Sequence, residues 1–392
     1  MKVHIDGARG DNWAKTPRNE AALRRSIAAA PLTGKLPASS GKHGRTTMGA
    51  MSGKAVFLKS YPVGLPGRQH FDIRDVETRA PSKGEVRLRT VWMSVDPYMR
   101  GRMIPDRVSY IPPFSLTEPL EGGAVSEVID SQNPNYSAGD YVVAFQGGWK
   151  EYWLSNGDGL MKVDPKIAPL SAYLGVLGMP GLTAWAGLTQ ILEPKAGDVV
   201  FVSGAAGAVG SLVCQLAKLK GARVIASAGS KEKCDWLLTE GGADIALNYR
   251  DYKNASELTK ALAAAAPGGI NCYFENVGGM HLEAALNSIA VGARIALCGM
   301  ISMYNNTAPE PGPSNFINLI GRSAKMQGFI VSIYQHLAPQ FAAEVAPLLM
   351  QGKIKFRESV YEGIAEAPAA FIGLFQGENF GKAVVRVGAD RA

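Results

Sequence analysis

A chain of 392 residues with 46% hydrophobic side chains is long enough for two domains and apolar enough to give each a core. Its net charge is +7, but nine Lys/Arg and three Asp/Glu within the first fifty residues account for six of those charges, so no basic nucleic-acid-binding face is expected. The four cysteines (Cys214, Cys234, Cys272, Cys298) show neither metal-ligand spacing nor a disulfide framework, which points to a reduced, cytoplasmic protein.

Residues 1–52 are rich in Ala, Arg, Gly and Ser, with little sustained apolar periodicity. They read as a flexible extension in which residues 20–30 could form one short basic helix. From Lys54 the texture changes to short strand-type runs at 55–58, 85–91, 123–128 and 141–144, separated by Pro, Gly and Asp turns. Strands at that spacing with little helix predict a compact barrel. Residues 165–170 then lead into a helical region over 172–192.

The second half of the chain is organised around the stretch Val199-Val200-Phe201-Val202-Ser203-Gly204-Ala205-Ala206-Gly207-Ala208-Val209-Gly210. Four apolar residues, three of them β-branched, predict a strand buried on both faces. A small-residue turn comes next, and Val209, Leu212, Val213, Leu216 and Leu219 then recur at helical spacing. Strand, glycine turn and helix in that order open a βαβ unit whose turn lets backbone N–H groups approach a phosphate. Gly207 and Gly210 match the last two glycines of the dinucleotide fingerprint, and Ala205 holds the place of the first. The run from Asp198 to Lys218 carries no charge between its ends, but its glycines and its two periodicities predict a buried strand–turn–helix rather than a membrane span.

The second half of the βαβ unit selects the dinucleotide. The strand over 223–228 ends in Gly229-Ser230-Lys231-Glu232-Lys233, where an NAD site would place a carboxylate on the ribose hydroxyl. Small neutral residues followed by lysines favour a 2′-phosphate instead, which predicts NADPH. Further strands are expected at 245–249, 271–275, 293–298 and 324–331, alternating with helices, the last over 340–350. This is the pattern of a doubly wound sheet. Beyond Gly352 the texture returns to strand–helix–strand, ending at 383–387, and this tail is expected to rejoin the first barrel.

Six segments in order sharpen the reading: Asp96-Pro97-Tyr98-Met99-Arg100-Gly101-Arg102-Met103, Gly178-Met179-Pro180-Gly181-Leu182-Thr183-Ala184, the glycine turn, Phe274-Glu275-Asn276-Val277-Gly278-Gly279, the run 298–305, and Gly377-Glu378-Asn379-Phe380-Gly381-Lys382. From about Met51 to Val387 the chain resembles the zinc-independent, NADPH-dependent alkenal/enone double-bond reductases of the medium-chain dehydrogenase/reductase superfamily. These include prostaglandin, 2-alkenal and curcumin reductases. The resemblance implies an α/β chain: a Rossmann doubly wound parallel sheet over 179–357, and a discontinuous GroES-like β-barrel domain from 53–178 and 358–392. It implies that Gly207, Ala208, Val209 and Gly210 hold the pyrophosphate of NADPH, and that Lys233 and Tyr249 bind the 2′-phosphate. Asn276, Cys298, Gly299, Met300, Ile301, Ser302, Tyr304, Phe329, Ile330, Val331 and Asn379 would line the ribose and nicotinamide end. A homodimer is implied as well, paired through the sheet edge at 324–331.

Between Met51 and Gly178 there is no cysteine, and the one histidine is His70, so Cys and His of the barrel cannot supply three zinc ligands. Without a Lewis acid, the favoured reaction is hydride addition to the β-carbon of an enal or enone, where charge spreads onto an enolate oxygen. Tyr304 and Tyr98 are the candidate side chains to assist it, and loop residues 102–117 are expected to shape the substrate mouth. A quinone reductase and a catalytically silent NADPH-binding protein are the alternatives.

Overall fold

The computed structural model describes residues 49–107 and 109–392. The extension expected over 1–52 therefore lies outside the described residues as far as residue 48. Its last two members do not belong to it: Met51 and Ser52 open strand β1 (Met51–Leu58), because their backbone groups pair opposite Thr78 and Glu77 of β2 (Phe71–Thr78). Strand β2 escapes pattern reading since only its end residues, Phe71 and Thr78, are buried. Then come β3 (Val86–Ser94), the single turn α1 (Met99–Arg102), β4 (Ala124–Ser131), β5 (Tyr141–Ala144), β6 (Tyr152–Ser155) and β7 (Met161–Val163). Strand β3 is central and pairs antiparallel with both β4 and β6.

The region expected as helical over 172–192 is three elements, not one. A 3₁₀ turn at Leu170–Leu174 precedes α2 (Met179–Ala186), whose Pro180 suits a first helical turn, and a π-helical stretch Gly187–Leu192 comes after it. The second lobe then runs β8 (Val199–Val202), α3 (Gly210–Leu219), β9 (Arg223–Ala228), α4 (Lys231–Thr239), β10 (Ile245–Asn248), α5 (Ala255–Ala265), β11 (Ile270–Glu275), α6 (Gly279–Ser288), β12 (Ile289–Leu297), α7 (Ile317–Gly321), β13 (Lys325–Gly328) and α8 (Ala338–Met350). Its six strands lie parallel in the order β10-β9-β8-β11-β12-β13, the doubly wound Rossmann arrangement with its switch point between β8 and β11. The apolar run of β8 is explained by the two helix layers: Val200 and Val202 enter one core cluster and Phe201 the other. The strand expected over 324–331 is shorter. It stops at Gly328, after which Phe329 turns inward against Phe274 and Tyr334 and a 3₁₀ helix Val331–Leu337 begins.

The tail returns to the first lobe. Strand β14 (Glu358–Glu362), helix α9 (Ala367–Gln376) and strand β15 (Lys382–Arg386) extend the barrel sheet, with β15 antiparallel to β3 and parallel to β14. Helix α9 sends Ala367, Ala370, Phe371 and Leu374 into the same core as Val56, Met93, Met99 and Trp149. Phe371 meets Phe71 and Trp149 edge to face, an arrangement aromatic quadrupoles favour.

Candidate active site

The sheet delivers the expected cofactor residues to one side. In a parallel sheet, ligands gather beyond the carboxyl ends of the strands at the switch point. The glycine turn leaves the end of β8, Lys233 comes after β9, Tyr249 after β10, Asn276 after β11, the run 298–304 after β12, and Phe329 after β13. In the turn itself the positive φ (+58°) falls on Gly204, one residue before Ala205. A Cβ on Gly210 would come within 2.5 Å of the Gly204 carbonyl oxygen, so helix α3 closes onto the turn only with glycine there. The N–H groups of Ala208 and Val209 donate to no other backbone group among the described residues. Two free amides at the start of a ten-residue helix are donors suited to an anion.

The two lysines after β9 part company. Lys231 lies on the outer face of α4, 86% exposed, and pairs with Asp235 one turn on (2.6 Å). Lys233 points inward: its ammonium donates to the Gly377 carbonyl at the end of α9 (2.6 Å). Burial, and then the neighbouring Arg250, hold its pKa below the usual lysine value. No carboxylate stands directly after β9, since Ala228 leads into Gly229 and Ser230, whose hydroxyl caps α4 by accepting from the Lys233 N–H. Beside them the Tyr249 ring rests edge-on against His281. His281 is buried, pushed down to about 4, and joined to the Ser227 hydroxyl (2.9 Å). Sequence reasoning missed Arg250; its signal was a basic residue directly after Tyr249.

The switch point is held by a buried carboxyl. Glu275 accepts from the Ser203 hydroxyl and from the Val277 N–H (both 2.6 Å), while burial raises its pKa. Asn276 is fixed through its amide to the Ser203 carbonyl (2.7 Å). The Cys298 and Gly299 amides both donate to the Glu275 carbonyl, which starts the loop 298–305 toward the other lobe. From the tail, the Gly381 N–H donates to the Ala206 carbonyl (2.8 Å), laying Asn379 and Phe380 alongside the glycine turn. The Asn379 amide itself donates to the Gly381 carbonyl (2.9 Å).

Between the lobes lies a cleft of ≈ 400 Å³ lined by Arg107, Leu297, Cys298, Gly299, Met300, Met303 and Tyr304. The Tyr304 hydroxyl accepts from the Met300 N–H (3.3 Å), which leaves its own proton free to donate. Burial raises its pKa, so it remains protonated through the neutral range. Cys298 is pushed up to about 12 by burial and stays a neutral thiol. Tyr98 stacks on Phe145, and its buried hydroxyl has no hydrogen-bond partner among the described residues. Tyr110, 57% exposed, lies within electrostatic reach of Tyr304 and is itself felt by Tyr98. The side chains of Phe329 and Val331 pack against the core cluster behind β11.

The segment carrying Tyr98 is tied to both lobes. Asp96 pairs with the buried Lys382 of β15 (3.2 Å) and takes a bond from the Ser94 hydroxyl. Arg100 reaches across to Asn305 (2.9 Å). His70 accepts from the Gly67 N–H (2.9 Å) and serves a local turn. No three His, Cys, Asp or Glu side chains are grouped to hold a metal among the described residues. No helix among them is long and apolar enough to cross a membrane.

Comparison with known proteins agrees with this architecture. Residues 54–163 match the family model described as the N-terminal domain of oxidoreductase, and residues 208–346 the one described as zinc-binding dehydrogenase. The chain is 41% identical over 338 residues to the NADPH-dependent curcumin reductase of Escherichia coli, covering 85% of this chain and 96% of that one. It is 42% identical over 341 residues to the NADP(+)-dependent 2-alkenal reductase of Nicotiana tabacum, covering 86% and 98%. The crystal structure of CurA in complex with NADPH from Vibrio vulnificus superposes with a TM-score of 0.80 at 42% identity, covering 86% of this chain and all of that one.

Proposed function

The chain belongs to the zinc-independent, NADPH-dependent alkenal/enone double-bond reductases of the medium-chain dehydrogenase/reductase superfamily, and from that membership we propose how its residues divide the work. It is an oxidoreductase that reduces the C=C bond of α,β-unsaturated aldehydes and ketones with NADPH. The observation that carries this reading is the cleft where the run 298–304 from the end of β12 meets Arg107 of the barrel lobe. Residues 179–357 form the cofactor lobe in this proposal, and 53–178 with 358–392 the substrate lobe.

Bound NADPH supplies the hydride that reaches the substrate β-carbon. The amides of Ala208, Val209 and Gly210 hold the pyrophosphate, and Lys233, Tyr249 and Arg250 surround the 2′-phosphate. Asn276, Gly299, Met300, Ile301, Ser302, Ile330 and Asn379 position the ribose and nicotinamide, with Cys298, Phe329 and Val331 packed behind them. Tyr304 donates its proton toward the oxygen on which charge develops, the step that most needs help. Tyr98 is the second donor within the barrel segment, and the α-carbon takes its proton from water or a tyrosine.

Incubation with NADPH and trans-2-nonenal tests the reading, with nonanal as the expected product. An allylic alcohol would overturn the reaction class, and turnover confined to a quinone would favour quinone reduction. A second copy of the chain is the proposed partner. Among the described residues strand β13 ends the sheet with an unpaired edge, and Ile317 and Ile320 of the helix leading into it are 67% and 77% exposed. Four free cysteines, three of them buried, suit a reducing cytoplasm.

A further inference from the structure

Tyr249 stands where β10 gives way to a 3₁₀ turn at Tyr249–Asp251, and two neighbours fix its ring. Its hydroxyl lies across Gly229, 2.7 Å from where a Cβ would stand, so the phenol tip reaches the turn that carries Ser230 and Lys233. The ring also packs edge to face against the imidazole of His281, with centroids 5.2 Å apart and planes at 73°. The hydroxyl itself bonds no other group among the described residues, which leaves its proton free for a ligand.

His281 comes from a third element, the first turn of α6, and is 2% exposed. A buried imidazole is costly unless it is hydrogen-bonded. Here Nε2 and the Ser227 hydroxyl are 2.9 Å apart. Ser227 is itself fully buried in β9, and its carbonyl accepts from the Ala205 N–H of the glycine turn (2.9 Å). Ser227 thus orients the imidazole, and the imidazole orients the ring of Tyr249. An alkyl side chain there would present no quadrupole to the phenol and no partner to Ser227.

Beside a phosphate a histidine can act in two ways. As a cation it attracts the anion directly, in the manner of a lysine or arginine. Burial holds His281 down at about 4, so at neutral pH the imidazole is uncharged and offers no such attraction. Its contact with Tyr249 remains. We infer that His281 is a positioning residue for cofactor choice: anchored by Ser227, it holds Tyr249 where the tyrosine hydroxyl bonds the 2′-phosphate of NADPH. This role rests on the assignment of Tyr249 to the 2′-phosphate, and so on the NADPH-dependent reading.

Fluorescence titration of the full chain with NADPH and with NADH tests it. His281→Leu should weaken NADPH binding about three- to tenfold and leave NADH binding within about twofold of wild type. Ser227→Ala removes one oxygen and keeps the backbone bond to Ala205, and it should give a smaller loss of the same kind. Adding His281→Leu to Tyr249→Phe should cost nothing beyond Tyr249→Phe alone, since a ring without its hydroxyl gains nothing from being placed. Equal losses for both cofactors, or NADPH binding unchanged in His281→Leu and Ser227→Ala, would overturn the role. So would a His281→Leu loss that persists in full in the Tyr249→Phe background. If His281→Leu does not fold, Ser227→Ala, alone and combined with Tyr249→Phe, decides by the same outcomes. If Tyr249→Phe binds NADPH like wild type, the 2′-phosphate assignment of Tyr249 falls and the role of His281 with it. Formation of nonanal from trans-2-nonenal by the wild type would still uphold the reductase reading in that case.

Discussion

Tyr304 and Tyr98 present the same functional group in different settings. Tyr304 lines the cleft with its oxygen anchored by the Met300 N–H and its proton free, whereas the Tyr98 hydroxyl is buried without a partner among the described residues. Tyr304→Phe keeps the ring and removes only the donor, so turnover should fall about 10- to 1000-fold in steady-state assays with trans-2-nonenal. Because burial raises the Tyr304 pKa above the tyrosine value of 10.0, its proton is lost only at alkaline pH. The pH–rate profile of the wild type should therefore show no loss from this group through the neutral range. A larger fall for Tyr98→Phe than for Tyr304→Phe would exchange the two roles. Lys233 offers a second residue-scale test. Its Nζ already sits where Arg250 gathers positive charge, so Lys233→Ala should raise the KM for NADPH about tenfold or more. The KM for NADH should hardly move, and equal effects on both cofactors would remove Lys233 from the 2′-phosphate.

At the scale of elements, the junction between the tail and the glycine turn carries the most consequence. Gly381 adopts φ +71°, its N–H reaches the Ala206 carbonyl, and a Cβ there would overlap the Arg357 carbonyl oxygen. Left-handed backbone costs a residue with a Cβ about 1–2 kcal/mol before any clash is counted. Gly381→Ala should accordingly lower the thermal midpoint by several degrees and raise the KM for NADPH, since the strap over the turn must shift. A variant with an unchanged midpoint and unchanged cofactor affinity would show that the junction is not under this constraint. Strand β15 continues directly from this strap, and its Lys382 grips Asp96 on the segment that presents Tyr98. One run of the tail thus touches both the glycine turn and the segment of the candidate donor.

At the scale of the molecule, the sheet formed by the described residues ends in an open edge at β13 beside exposed Ile317 and Ile320. Edge strands with unpaired backbone groups and apolar neighbours recruit another chain. Light scattering at micromolar concentration should report twice the 41.6 kDa chain mass. Charged substitutions Ile317→Glu and Ile320→Glu should return the protein to monomer. A monomeric wild type would remove the dimer.

Features determined by neighbours in sequence were legible without coordinates. The run 199–210 announces its strand, turn and helix because burial on both faces and close backbone packing both leave local marks, apolar residues in series and then glycine. The doubly wound class, though not its strand order, came from alternation, and the return of the tail from a change of texture after Gly352. Strand β2 was not legible, since a half-exposed strand of polar residues has no period to read. Nor did spacing alone choose between Lys231 and Lys233; the resemblance named Lys233. Both belong to one helix, and only the packing of α4 against the end of α9 turns one toward Gly377 and leaves the other to Asp235. Arg107 entered only as one member of the loop 102–117, and Arg250 stayed unremarked among 41 basic residues, for the same reason. Sequence records how each segment is buried, whereas a site is made where the ends of several segments meet, and that meeting is decided by tertiary packing.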